Sequence, residues 1–143
     1  MPRYPLLISF IFFFFDGDAQ QKENTGINFK LSCGFAAINS AEVNHVQQSG
    51  KFKNYTLLKQ NLFSSNKAEA VLSAILLQEL VAKQLTDLTT DERNRINKIS
   101  SWTDKYSICY TCTGHFEGKI KNLLADRINP EYILISETLQ KTD

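Results

Sequence analysis

Hydrophobic and polar positions follow two different periods along the chain. Within residues 27–35 they alternate strictly, and the same alternation returns within residues 106–112. A period of two puts alternate side chains on one face of an extended segment, so both stretches are predicted to be half-buried strands that can pair with each other. Gly114 and Gly118 follow the second stretch and predict a turn.

Hydrophobic residues three and four positions apart predict helices in most of the remaining chain. Helices are expected from Asn39 to Gly50, around residues 55–62, after Thr89 and within residues 120–128. Capping boxes are helix starts in which two side chains satisfy free backbone amides. Three pairs have the required spacing: Asn39 with Glu42, Asn66 with Glu69, and Thr89 with Glu92.

Residues 68–80 carry the strongest helical signal, because they are almost all strong helix formers and their apolar positions cover more than one face. This segment is predicted to be the central core helix. The tail is open to two interpretations. Asn129 and Pro130 are typical of a helix start, whereas the β-branched run within residues 132–135 equally suits a short third strand, so residues 131–139 remain unassigned.

The start of the chain has the three parts of a secretory signal peptide. A single positive charge precedes an apolar run over residues 4–15, and the small residues Gly17 and Ala19 follow it. The run is shorter than the roughly 20 apolar residues of a membrane-spanning helix. We therefore predict a signal peptide over residues 1–19, cleaved near Ala19, and a mature chain with no membrane span.

The mature chain is predicted to hold a flexible leader, residues 20–26, and one domain, residues 27–143. The expected fold class is α+β, a mostly helical small domain of four to five helices with a minor β element of two or three strands. The 16 Lys and Arg residues nearly balance the 15 Asp and Glu residues, and the two signs are interspersed. This charge pattern argues against a nucleic-acid partner.

Three cysteines provide the main chemical potential of the sequence. In an oxidising compartment a disulfide contributes roughly 2–4 kcal/mol. Strand alternation places Cys33 and Cys112 on apolar faces and Cys109 on the opposite face, which favours a Cys33–Cys112 bond. In an extended strand Cys109 and Cys112 lie about 10 Å apart, beyond the ~7 Å limit on Cα separation. A turn at Tyr110 and Thr111 would instead allow that local pair and leave Cys33 over.

Two further hypotheses use the same residues. Cys109-x-x-Cys112 has the spacing of thiol-redox proteins, although no convincing helix or βαβ frame accompanies it. Together, Cys33, Cys109, Cys112 and His115 would suit tetrahedral zinc, although a second Cys-x-x-Cys half is lacking.

The remaining residues carry no catalytic motif. Phosphate-binding glycine loops and His-Glu-x-x-His helices are absent from the sequence, and His45 has no nucleophile motif around it. Trp102 and Tyr106 form either an exposed aromatic edge or, as is usual for single aromatics, part of the core rim.

The sequence thus predicts an exported, disulfide-stabilised, non-catalytic binding or interaction module without a cofactor, located in the periplasm or outside the cell. Its partner would be a protein or a component of the cell envelope, and its oligomeric state is unspecified. The alternative is a thiol-redox or metal-binding protein that uses Cys109 and Cys112.

Overall fold

A computed structural model describes residues 26–32, 39–111 and 114–141. The elements follow in the order β1 (Ile27–Leu31), α1 (Ala41–Lys51), α2 (Tyr55–Asn61), α3 (Lys67–Ala82), α4 (Thr90–Ser100), β2 (Lys105–Tyr110), β3 (Gly114–Lys119), α5 (Ile120–Ala125) and α6 (Pro130–Gln140). The predicted α+β class with dominant helices is confirmed, with six helices and three strands in these residues. The predicted signal peptide and nearly all of the leader lie outside the described residues.

The two predicted strands pair in parallel in a small sheet of order β1-β2-β3, in which β2 is the central strand. Ile27 of β1 lies opposite Tyr106 of β2, so the predicted pairing of the two stretches is confirmed. β1 ends at Leu31 because Ser32 has a φ of 52° and donates its N–H to Asn39 Oδ1 over 2.7 Å. Asn39 is therefore not a helix cap. The predicted Asn39–Glu42 capping box is wrong, and α1 begins after Ser40, whose side chain makes no capping bond.

The predicted turn at Gly114 and Gly118 is wrong, because both glycines lie in β3, which pairs antiparallel with β2. Both positions need glycine because atoms of β2 approach the β3 backbone closely there, not because the chain turns. A Cβ on Gly114 would lie 2.4 Å from the carbonyl oxygen of Tyr110, and one on Gly118 would lie 2.7 Å from the Tyr106 hydroxyl. The chain reverses before Gly114, starting at Thr111, whose φ is 60°.

The predicted central helix is confirmed as α3. Its residues from Ala70 to Leu77 are all buried, and it packs against α1, α2, α4, α6 and β1. The tail is α6, a helix that begins at Pro130 after Asn129, whose side chain accepts from the N–H groups of Glu131 and Tyr132. One buried hydrophobic cluster takes residues from all described elements except β3.

Side-chain caps begin both α3 and α4. Thr89 and Glu92 form the predicted capping box. Asn66 caps α3 by accepting from the N–H groups of Ala68 and Glu69, but the Glu69 carboxylate does not return the bond. It contacts His45 and accepts a hydrogen bond from Ser64 instead.

Candidate functional site

The cysteine cluster lies only partly within the described chain. Cys109 is half-buried on β2, on the face opposite the buried Tyr106 and Ile108, and its Sγ lies 4.0 Å from the carbonyl oxygen of Thr111. Cys33 and Cys112 lie outside the described residues. The left-handed φ of Thr111 shows that the strand does not run on in extended form, which is the condition under which a Cys109–Cys112 pair becomes feasible.

His115 faces Cys109 across the hairpin, since the two residues are partners in the β2–β3 register. Its Nε2 lies 3.0 Å from Glu117 Oε1, and both side chains are more than half exposed. Over the ranges that the structure covers, no three His, Cys, Asp or Glu residues are grouped so as to hold a metal ion. Two members of the predicted zinc set, Cys33 and Cys112, fall outside those ranges.

His45 belongs to a structural network at the start of α3. Its Nδ1 lies 3.1 Å from Glu69 Oε1, and the Ser64 hydroxyl donates to Glu69 Oε2 over 2.7 Å. The hydrogen bond from Ser64, followed by the one with His45, lowers the pKa of the Glu69 carboxyl. Because Ser64 bonds the carboxylate and not the imidazole, the trio lacks the nucleophile–base contact of a hydrolase and instead fastens α1 to the α2–α3 connection.

A cationic aromatic surface lies beside this network, where the end of α2 meets α4. The guanidinium carbon of Arg95 lies 5.9 Å from the ring centroid of Phe63 and 5.5 Å from that of Trp102. Its Nε donates to the carbonyl oxygen of Leu62 over 3.0 Å. We call Phe63, Arg95 and Trp102 the arginine–aromatic cluster. Two ring contacts and one hydrogen bond hold its guanidinium in a fixed orientation.

The charge of Arg95 has no partner of opposite sign within the described part of the chain. No carboxylate of those residues lies within ion-pairing distance, and its terminal guanidinium nitrogens make no hydrogen bond there. Lys67, 5.6 Å from the Trp102 centroid, is different because its Nζ lies 2.5 Å from Asp104 Oδ1. One of the two cations beside Trp102 is thus neutralised locally, and the other is not.

The aromatic residues of this region differ in their exposure to solvent. Phe63 is 53% exposed, whereas Trp102 is half-buried and packs against the core. Trp102 therefore lies at the core rim, and Tyr106, at 4% exposure, belongs to the core itself rather than to an exposed edge. Sequence reasoning missed Phe63 and Arg95. Arg95 lies in α4 and Trp102 two residues beyond its end, so no helical spacing in the sequence indicated this contact.

No protein family, curated protein or solved structure matches the chain. Among the helices that the structure describes, none has both the length and the apolar character needed to cross a membrane.

Proposed function

We propose that the chain is an exported, non-catalytic interaction module that docks a partner protein on the arginine–aromatic cluster. The observation that supports this most directly is the oriented Arg95 guanidinium, which lies between Phe63 and Trp102 without a carboxylate partner in the described chain. Two aromatic rings and a backbone carbonyl, rather than a carboxylate of the described residues, position this charge.

The chemistry of the cluster suits a carboxylate from another chain. A guanidinium offers a planar fork of donors that matches a carboxylate in a bidentate geometry. Arg95 is already held by two rings and the Leu62 carbonyl, so little side-chain freedom is lost when a partner binds. Arginine and large aromatic residues are also the types enriched at the energetic centres of protein interfaces. The partner we propose presents an aspartate or glutamate beside an apolar side chain that covers Phe63.

Trp102 provides a direct test, because it is the only tryptophan of the chain and lies 5.5 Å from Arg95. The probe is a blocked peptide that carries glutamates, and its control is the same peptide with glutamines. We expect the glutamate peptide to change the Trp102 fluorescence at low salt with weak affinity, on the order of ten millimolar, since one charged hydrogen-bonded pair gives only about 1.5–3 kcal/mol. Equal responses to both peptides would contradict the proposal.

Arg93 supplies a matched control variant. It lies on the same helix, and its Nε also donates to a backbone carbonyl, that of Leu88, over 3.2 Å. Arg95→Gln and Arg93→Gln remove the same charge, but only Arg95 contacts the rings. Arg95→Gln should weaken glutamate-peptide binding by about tenfold or more, and Arg93→Gln by less than about twofold. Equal losses would mean that the binding is only nonspecific charge attraction.

The export part of the proposal rests on the apolar run within residues 4–15 and the small residues Gly17 and Ala19. In a host with a secretory pathway, we expect the chain in the exported fraction with Gln20 as its first residue. N-terminal sequencing and intact mass measure this. A product that stays inside the cell and begins at Met1 would contradict it.

We also propose that a disulfide which includes Cys109 stabilises the exported chain. The turn that starts at Thr111 supports Cys112 as the other member, with Cys33 left over. Alkylation and intact mass before and after reduction test this, and peptide mapping identifies the pair. Two fewer alkylated cysteines before reduction support the disulfide. Three free thiols with one bound zinc would favour the metal-binding alternative, and a disulfide of high reduction potential the thiol-redox alternative.

A further inference from the structure

A second surface feature is a small open pocket at the C-terminal end of α3. It has a volume of about 210 Å³ and lies between the ends of α1, α3 and α6. Its apolar lining comes from Leu76, Leu80, Leu85 and Leu139. Leu85, in the connection between α3 and α4, is 55% exposed, so an apolar wall of this pocket faces solvent.

Gly50 lies directly over the pocket lining. It is in the last turn of α1, where alanine would favour the helix by about 1 kcal/mol. A Cβ at this position would come within 2.9 Å of Leu76 Cδ2. Glycine therefore lets α1 approach Leu76 closely, and a larger residue would push the Leu76 side chain from its position in the pocket wall.

The rim of the pocket is cationic. Its lining includes Lys51, Lys53, Lys83 and Lys141, and no acidic residue lines it within the described part of the chain. The side chains of Lys53, Lys83 and Lys141 make no ion pair with a carboxylate in the ranges that the structure describes, and Lys83 donates only to the amide oxygen of Gln140. The whole chain has a formal charge of only +1, so positive charge is concentrated here.

We infer that this pocket binds an amphipathic anion, a single short alkyl chain that ends in a carboxylate. The leucine lining would accept the alkyl chain, and the lysine rim would attract the anionic head. Ligand pockets for drug-sized molecules have volumes of about 300–1,000 Å³, so a volume near 210 Å³ fits one chain better than a ring system. Lysine ammonium groups are mobile point charges, which suits a head group that needs no fixed orientation.

This inference goes beyond the proposed function, because it uses a different surface. Lys67, beside the arginine–aromatic cluster, is the first residue of α3, whereas Leu80 lies near the last. The 16 residues of α3 span about 24 Å at 1.5 Å per residue. A ligand in the pocket therefore does not touch Arg95, and the two sites can be tested separately.

The test is calorimetric titration of the full chain with octanoate, below its micelle concentration, and with octanol as the neutral control. We expect one octanoate to bind per chain and octanol to bind at least about tenfold more weakly, a difference of about 1.4 kcal/mol. The triple variant Lys53→Gln, Lys83→Gln, Lys141→Gln should lose about tenfold in octanoate affinity.

A second triple variant serves as the matched control. Lys98, Lys105 and Lys121 are also exposed, and none of them lines the pocket. Replacing these three by glutamine removes the same charge and should change octanoate affinity by less than about twofold.

Several results would overturn the inference. These are no octanoate binding, equal binding of octanol, or equal losses in the two triple variants. A glutamate peptide that competes with octanoate for the pocket would identify an acidic protein segment as the occupant. Concentration-dependent dimers that Leu85→Asp abolishes would identify a second copy of the chain. Either finding would also overturn the alkyl carboxylate as the ligand.

Discussion

The surfaces beside the two ends of α3 present positive charge in two different ways. At the N-terminal end, Arg95 is held between Phe63 and Trp102, and Lys67 is paired with Asp104. At the C-terminal end, a rim of exposed lysines surrounds a pocket of leucine side chains. One surface thus holds a cation in a fixed orientation, and the other, on neighbouring elements about 24 Å along α3, holds several mobile ones.

The two surfaces differ in how firmly their cationic side chains are held in one orientation before a ligand binds. A fixed guanidinium selects for the direction of a carboxylate and gives specificity, whereas a lysine rim attracts any anion and leaves selection to the apolar pocket. The first arrangement suits a protein surface, and the second suits a small ligand with an alkyl chain. Substitutions at each surface should therefore affect peptide binding and octanoate binding separately.

The largest expected effect comes from a substitution within α3, the helix that connects the two surfaces. Ile75 lies in the middle of α3 and is fully buried. Ile75→Ala should lower the free energy of unfolding by about 2–5 kcal/mol, because it removes buried methyl groups and leaves a cavity. Urea denaturation measures this loss. Under conditions where the variant stays folded, both the glutamate peptide and octanoate should still bind. A loss below about 1 kcal/mol would contradict the central role of α3.

A charge-conserving variant sharpens the contrast between the two ends. Arg95→Lys keeps the positive charge but loses the planar fork and most of the ring stacking. Binding of the glutamate peptide should weaken by about tenfold, whereas octanoate affinity should stay within about twofold. If Arg95→Lys binds the peptide as well as the original chain, orientation does not matter and charge alone explains the binding.

The network beside the cluster predicts a pH dependence of stability. Glu69 accepts from Ser64 and contacts His45, and its pKa in the folded chain lies below the ordinary 4.5. Its stabilising contribution is therefore complete well above pH 4.5 and is lost as the pH falls through the lower, folded pKa. Glu69→Gln should lower the free energy of unfolding at neutral pH by about 1 kcal/mol, with the difference shrinking in acid.

Urea denaturation of Glu69→Gln and of the original chain, at neutral pH and in acid, measures this dependence. Glu117 offers a control, since it contacts His115 but is 71% exposed. Glu117→Gln should change the unfolding free energy little at either pH. A Glu69→Gln difference that stays constant with pH would contradict the assignment.

The smallest expected effect concerns Lys67. The Lys67 side chain, which forms an ion pair with Asp104, is 53% exposed. Exposed ion pairs contribute about 0–1 kcal/mol to stability. Lys67→Gln leaves the Asp104 carboxylate uncompensated near the cluster, so it should weaken glutamate-peptide binding by about twofold through repulsion. The fluorescence titration of Trp102 measures this change. Tighter peptide binding in Lys67→Gln would contradict it.

Elements with a strong local pattern were predictable from the sequence. The buried helix α3, the Thr89–Glu92 capping box and the strands β1 and β2 follow from apolar spacing and capping residues. The errors arose where a tertiary contact decides the outcome. Asn39 bonds Ser32 rather than a helix amide, and the glycines of β3 accommodate Tyr110 and Tyr106.

The candidate sites were less predictable than the fold. The cluster joins Phe63 and Arg95 across 32 positions, so no short motif contains it. The pocket likewise takes Gly50, Leu76 and Leu139 from three separate helices. Only packing brings these residues together, and a lone sequence does not display that packing.

The most direct test of the docking surface is nuclear magnetic resonance of the Arg95 Nε–Hε group, identified by its loss in Arg95→Lys. This group donates to the Leu62 carbonyl and lies at the centre of the cluster. The account predicts that the glutamate peptide shifts this signal and the Trp102 indole signal together, whereas the glutamine peptide shifts neither. Unchanged Arg95 and Trp102 signals, with the peptide-induced shifts located elsewhere, would contradict it.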